Sequence, residues 1–210
     1  MRRRWKLRGA LLAMAAIAVG TAVFHRANVA EAAPREPVAV VASITPPAPN
    51  PDSPVIPPRS LAGNEILIPV VGVEKSDLRD TWGASRGSRR HTAIDIIAPR
   101  GTPVVAVVDG TVLKFFTSKA GGLTMYLAEP AGDVLYYYAH LDRYAPGLAE
   151  GDVVSRGTIL GYVGSTGNAP PNAPHLHFGY ERLPAGGEWW KGKPENPYPI
   201  LMQRGVTIPR

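Results

Sequence analysis

The chain has 210 residues, no cysteine and a formal charge of +6. That length accommodates one sizeable domain plus extensions, and the missing cysteine excludes a disulfide framework and any thiolate metal site. Residues 1–33 carry six cations against one carboxylate, which accounts for +5 of the +6 and leaves the remainder near neutral, so neither a general polyanion-binding surface nor a nucleic-acid partner is expected.

Arg2, Arg3, Arg4, Lys6 and Arg8 precede an apolar run from Gly9 to Phe24, the positive-then-apolar order of an export signal. The run of 16 residues is slightly short for a free-standing membrane span, and Ala30-Glu31-Ala32 offers an A-x-A cleavage site. Residues 1–33 therefore read equally as a cleaved signal peptide or as a signal-anchor in the inner membrane. A buried core helix fits the flanking charge poorly. Both membrane readings place the rest of the chain outside the cytoplasm, in the periplasm or cell envelope. Residues 34–60 hold nine prolines, which favour extended conformations over helix or central strand. They read as a semi-stiff tether of up to roughly 80 Å, at about 3.1 Å per residue when extended, or as disordered filler.

From Leu61 onward short β-rich runs recur: Ile66–Val71, Ala93–Ile97, Val104–Val108, Thr111–Phe116, Leu123–Leu127, Val134–Ala139, Val153–Val154, Ile159–Val163 and His175–Tyr180. No helical periodicity lasts long enough to predict a helix. Asp109-Gly110 between two valine-rich runs predicts a hairpin turn. The glycine-punctuated stretch Gly151–Gly167 predicts a tight turn between two short strands. The fold class expected is mainly β, an antiparallel β-sandwich or barrel-like sheet.

Four of the five histidines fall in three short strings: His91 in HTAID, His140 in YAHLD, and His175 and His177 in HLHF. Alternation along a strand puts His175 and His177 on one face, and His91 with Asp95 likewise if that segment is extended. Two imidazoles and a carboxylate, with a fourth position left to water, are the donor set of a catalytic zinc. Spare histidines beside it supply proton transfer and oxyanion stabilisation. Alone, each string has an ordinary explanation, and His140 alone reads as a packed or capped histidine. Together each supplies what the others lack. Spacing does not choose between His175 and His177 as ligand.

The ordered set H-x-x-x-D, H-L-D, H-x-H resembles the lysostaphin-type, LytM-like zinc metallopeptidases. Asp80-Thr-Trp-Gly-Ala-Ser-Arg86 resembles the family's approach to its first ligand. Gly101-Thr-Pro-Val-Val-Ala with Asp109-Gly-Thr-Val resembles its core hairpin, Gly151–Gly167 its glycine-rich hairpin, and Asn196-Pro-Tyr-Pro its closing segment. The resemblance covers residues 61–205, a LytM-like peptidase domain after the signal segment and linker. It implies one Zn2+ per chain held by His91, Asp95 and His177, with His140 and His175 as catalytic histidines. It implies hydrolysis of peptide cross-links in bacterial peptidoglycan, in a groove over the metal. One departure is Ala93, where the family has glycine.

Arg86, Arg89 and Arg90 would bind stem-peptide carboxylates or form a solvated loop with spare charge. One of Tyr136, Tyr137 and Tyr138 would reach the groove. Trp189-Trp190 reads as a packed edge or a groove wall. Three rival readings remain. A non-catalytic activator or binding module on the same fold would act in cell-wall remodelling or division, and intact ligands argue against it. A non-haem iron oxygenase uses two His and a carboxylate, normally starting H-x-D, and leaves His140 and His175 unexplained. A biotinyl- or lipoyl-like carrier would need a lysine at the Gly151–Gly167 turn, and none is there.

Overall fold

The computed structural model describes residues 64–184 and 186–210; the predicted signal segment and linker lie outside the described residues. The elements run β1 (Ile66–Leu67), β2 (Ser85–Arg86), β3 (Arg89–Arg90), β4 (Ile94–Ile97), β5 (Pro103–Val105), β6 (Gly110–Ser118) and β7 (Gly122–Ala128). There follow β8 (Val134–Tyr144), β9 (Val153–Val154), β10 (Ile159–Val163), β11 (His175–Arg182), β12 (Lys193–Glu195), α1 (Pro197–Arg204) and β13 (Gly205–Val206).

Nine strands form one sheet, in the order β12-β11-β8-β7-β6-β9, with β4 on the edge of β11 and β10 joining β8 to β5. Every pairing in it is antiparallel; the parallel exception is the small β1–β13 pair. The long strand β8 organises the site. β11 covers one edge of it as far as Ala139, and β10 takes over that edge from Leu141. His140 sits at the handover, with φ +60. It is the one non-glycine residue in the left-handed region among those described.

Alternation sorts the strands as the sequence predicts. Tyr136, Tyr138, Leu176, Phe178, Ile94 and Ile96 are buried in the core. Tyr137, His177 and Asp95 fall on the opposite face. The Tyr138 hydroxyl accepts the Val107 N–H at 3.3 Å, which satisfies a phenol that is otherwise sealed in. Ala93 is fully buried and its φ is not positive, so the methyl in place of glycine costs no backbone strain.

The expected mainly β class is what the structure has, as a branched nine-stranded sheet with two small two-stranded ones. Several local expectations are corrected. Asp109-Gly110 does not close a hairpin: β5 pairs with β10, and β6 with β7 and β9. The backbone just before it is committed elsewhere, with the Val107 carbonyl accepting from Leu67 and the Ala106 carbonyl from Gly157. Asp109 accepts the Arg156 N–H at 2.7 Å, tying the turn to a distant loop. Within Gly151–Gly167 the two short strands exist, but β9 pairs with β6 and β10 with β5 and β8. The run Ile66–Val71 yields only the two-residue β1 and a bridge from Val70 to Val104, and the run Val104–Val108 leaves the sheet after Val105. The helix α1 was not expected. Its start is nevertheless written in the sequence: Asn196 caps it by accepting the Tyr198 N–H at 2.9 Å, and Pro197 occupies the first turn, where no N–H is needed.

Glu181 lies on the same face of β11 as His177, opposite Leu135. Burial pushes its carboxyl up to about 7, and no cation pairs with it among the described residues. The folded chain thus binds this proton more tightly than the unfolded chain, whose carboxyl titrates near 4.5. The stabilisation is present below the unfolded value and is lost as pH rises through about 7. Glu181→Gln should therefore match the parent at about pH 4 and exceed it at pH 8.5, by roughly 1 kcal/mol once solvent screening of a part-exposed group is allowed for. Thermal melts at the two pH values read this directly. A gap between parent and variant that does not change with pH would contradict it.

Candidate metal centre

Strand register brings the first two groups together. β11 and β4 pair so that His177 stands opposite Asp95. Leu176 and Phe178 anchor β11 in the core, as Ile94 and Ile96 anchor β4, so both polar side chains are held on the open face. His91 arrives from outside the strand, because β4 begins only at Ile94. The β2–β3 hairpin delivers it: the His91 N–H donates to Ala84 at 2.9 Å, and its carbonyl accepts from Gly83 at 2.8 Å. His140 comes from the β8 handover, where its N–H donates to the Gly121 carbonyl at 2.8 Å.

Three donor atoms form a nearly equilateral triangle. His91 Nε2 lies 3.0 Å from His177 Nδ1 and 3.1 Å from Asp95 Oδ1, and His177 Nδ1 lies 3.2 Å from Asp95 Oδ1. His175 Nε2 stands further off, 3.7 Å from the same carboxylate oxygen. Backbone carbonyls accept and never donate, so they fix the tautomers. His91 Nδ1 donates to Thr81 at 2.8 Å, His140 Nδ1 to Thr166 at 2.8 Å, and His175 Nδ1 to Ala173 at 2.8 Å. All three therefore hold Nε2 as a bare lone pair. His177 presents Nδ1 instead. A proton there has two acceptors, His91 Nε2 and Asp95 Oδ1, and satisfies only one well. A cation at the centre of the triangle satisfies all three donors, so the residues fit a metal. His91, Asp95 and His177 form the described set that could hold one.

The electrostatics favour the ligand-competent forms. Burial opposes charge on Asp95, but the imidazoles of His177, His91 and His175 gathered around it outweigh burial and hold the carboxyl well below the usual carboxylate range. Burial lowers His177, against the pull of Asp95, which keeps the ring neutral near pH 7. Burial also pushes His140 down to about 4, against the Thr166 carbonyl that favours the protonated ring. Neutral imidazoles and an ionised carboxylate are what a divalent cation requires.

A cavity of about 400 Å³ opens over these groups. His140, His175, Tyr137, Asn168 to Pro170 and the arginines Arg86, Arg89 and Arg90 line it. Tyr137 is thus the tyrosine that reaches the groove, its ring edge-on to His177 at 5.8 Å. Trp189 packs on Tyr126 at 5.2 Å, as a packed edge.

Sequence reasoning missed the supports. Thr81 holds two of the three candidate ligands: its carbonyl accepts from His91, and its hydroxyl accepts the Asp95 N–H at 3.0 Å. Arg86 pairs with the other oxygen of Asp95. Asn196, besides capping α1, donates to the Asp80 carboxylate at 3.3 Å and so ties the closing segment to the approach segment. Thr81 and Arg86 do lie in the quoted Asp80–Arg86 string. The carbonyls of Thr166 and Ala173 leave no signal, because any residue type supplies one.

Among known proteins, the chain is 34% identical over 131 residues to an L-Ala–D-Glu endopeptidase of Bacillus subtilis, covering 59% of this chain and 39% of that protein. It is 39% identical over 131 residues to the DD-carboxypeptidase/endopeptidase Mpg of Neisseria meningitidis, covering 62% of this chain and 26% of that protein. The chain thus spans well under half the length of these relatives. The crystallised catalytic domain of lysostaphin from Staphylococcus simulans superposes with a TM-score of 0.50 at 28% identity, covering 60% of this chain and 94% of that domain. A LytM structure from Ruminococcus gnavus gives a TM-score of 0.53 at 29% identity, covering 69% of this chain and 64% of that one. A model of peptidase family M23 matches residues 89–197, more than half of the chain and every one of the five site positions, so the chain belongs to peptidase family M23.

Proposed function

We propose that this chain is a zinc-dependent endopeptidase that hydrolyses peptide cross-links of bacterial peptidoglycan. The observation that carries this reading is the triangle of His91, Asp95 and His177, with two further imidazoles turned toward the same cavity. Relatives named as an L-Ala–D-Glu endopeptidase, a DD-carboxypeptidase/endopeptidase and a glycyl-glycine endopeptidase support it. His91 Nε2, His177 Nδ1 and Asp95 Oδ1 would hold the ion; when bound, zinc supplies Lewis acidity toward a carbonyl oxygen and acidifies water.

The chain's own residues do the rest. His140 and His175 keep Nε2 free because each Nδ1 proton is spent on a carbonyl. Either ring accepts a proton at Nε2 from the attacking water, and a protonated ring stabilises the oxyanion or returns the proton to the departing amine. Their ring centroids are 4.9 Å apart in edge-to-face contact, so the two rings face one reacting centre together. Tyr137, Ala169 and Pro170 line the same cavity and would restrict water and orient the substrate. Residues 1–33 would carry the domain out of the cytoplasm, as a signal peptide or inner-membrane anchor, and residues 34–60 would give it reach toward the wall.

Digestion of purified sacculi by the purified chain, with mass analysis of released fragments, tests this. Peptide bonds in the cross-links should be cut, a chelator should stop it, and added zinc should restore it. A zinc-loaded protein that binds sacculi without cutting any peptide bond would instead establish the non-catalytic module.

A further inference from the structure

The β2–β3 hairpin over the cavity mouth is unusual in its charge. Arg86 and Arg89 are paired directly across it, and Arg90 follows. Like charges set opposite each other destabilise a hairpin, so an arrangement of this kind needs a compensating anion. Asp95 supplies one, but only to Arg86. Arg90 is turned back, its Nη1 3.4 Å from the Gly83 carbonyl. The Arg89 side chain has no hydrogen bond or ion pair among the described residues. It shares its hairpin face with Arg86, which points at the centre, and it lines the cavity. The cavity lining thus holds three guanidinium groups against one carboxylate, and that carboxylate is already committed.

We propose that Arg89 is a specificity-determining residue that binds a free carboxylate on the substrate close to the scissile bond. The chain then selects anionic stem-type peptides over uncharged ones such as polyglycine bridges. Resting on the peptidase reading, this inference names the substrate class of that same site. The guanidinium offers a planar fork that matches a carboxylate with two parallel bonds. The positive lining also raises the local concentration of an anionic peptide before contact.

The test uses two forms of one peptide, L-Ala–γ-D-Glu–L-Lys–D-Ala–D-Ala with free carboxylates and the same peptide with both carboxyls amidated, plus pentaglycine amide. Binding and hydrolysis are each measured for the zinc-loaded parent, Arg89→Gln and Arg89→Lys. The parent should bind the free acid roughly 10-fold or more tightly than the amide, the value of one charge-assisted contact. That preference should fall toward unity in Arg89→Gln. Arg89→Lys should keep part of it, because a point charge replaces the fork. Arg89 is exposed, so neither variant threatens the fold. Equal binding of the two forms by the parent, or the same preference in Arg89→Gln as in the parent, overturns the proposal. Charge-selective, Arg89-dependent binding without cleavage supports it and defeats the peptidase reading. Cleavage indifferent to charge does the reverse.

Discussion

Alanine at His91, Asp95 or His177 should each strip the protein of zinc. The parent is expected to hold close to one equivalent after dialysis, and each variant a small fraction of that. The three donor atoms stand 3.0–3.2 Å apart around one point, so each would contribute one bond to an ion held there. Complete zinc sites are worth about 10–16 kcal/mol in small domains, so one ligand in four is worth about 3–4 kcal/mol, or roughly 10²–10³-fold in affinity. Asp95→Ala should be the most damaging, since it also leaves Arg86 facing the centre without its counter-ion. Peptide-bond cleavage should fall with the metal. Elemental analysis and titration with a zinc-chelating dye read the outcome. A full equivalent of zinc in all three variants would refute the ligand set. Loss in His175→Ala with retention in His177→Ala would exchange those two residues.

Much of this site was legible because strand alternation is a strong constraint. HLHF has to put both histidines on one face once Leu176 and Phe178 enter the core, and AIDII does the same for Asp95. What alternation could not say is which strand lies beside which. That His177 faces Asp95 is a fact of register, set by core packing between segments 82 residues apart in sequence. The choice of His177 over His175 as ligand rests on the resemblance; in the structure His177 Nδ1 lies 3.2 Å and His175 Nε2 3.7 Å from the same Asp95 oxygen.

The misreadings share one cause. Asp109-Gly110 and Gly151–Gly167 have the local chemistry of turns, and both are turns in the broad sense. Local chemistry does not fix the partner, and here each flanking strand finds a better neighbour across the sheet. The β2–β3 hairpin went unseen for the opposite reason. All its residues are exposed, so it has no apolar alternation to read. Yet it positions His91 and carries the three arginines. α1 is too short for a periodic stripe and announces itself only by its cap, Asn196-Pro197.

His140 is where local propensity and function conflict most, and its replacement separates catalysis from metal binding. His140 and His175 variants should keep a full equivalent of zinc and lose about 10²–10⁴-fold in cleavage rate, the range for a positioned proton-transfer or oxyanion-stabilising group. For His175 alanine suffices, because the ring is held by Ala173 and lies outside the ligand triangle. For His140 alanine confounds two effects. The residue has φ +60, a strain that histidine and alanine share, but alanine also loses the buried ring's packing and its hydrogen bond to the Thr166 carbonyl. Asparagine tolerates that region, and its amide N–H2 can donate to the Thr166 carbonyl as the imidazole Nδ1 does. It cannot serve as a base. His140→Asn should therefore melt near the parent temperature, bind zinc normally and be nearly inactive, while His140→Ala should be inactive and less stable. A His140→Asn protein that keeps parental activity would remove His140 from the chemistry and leave its conformation without a catalytic reason.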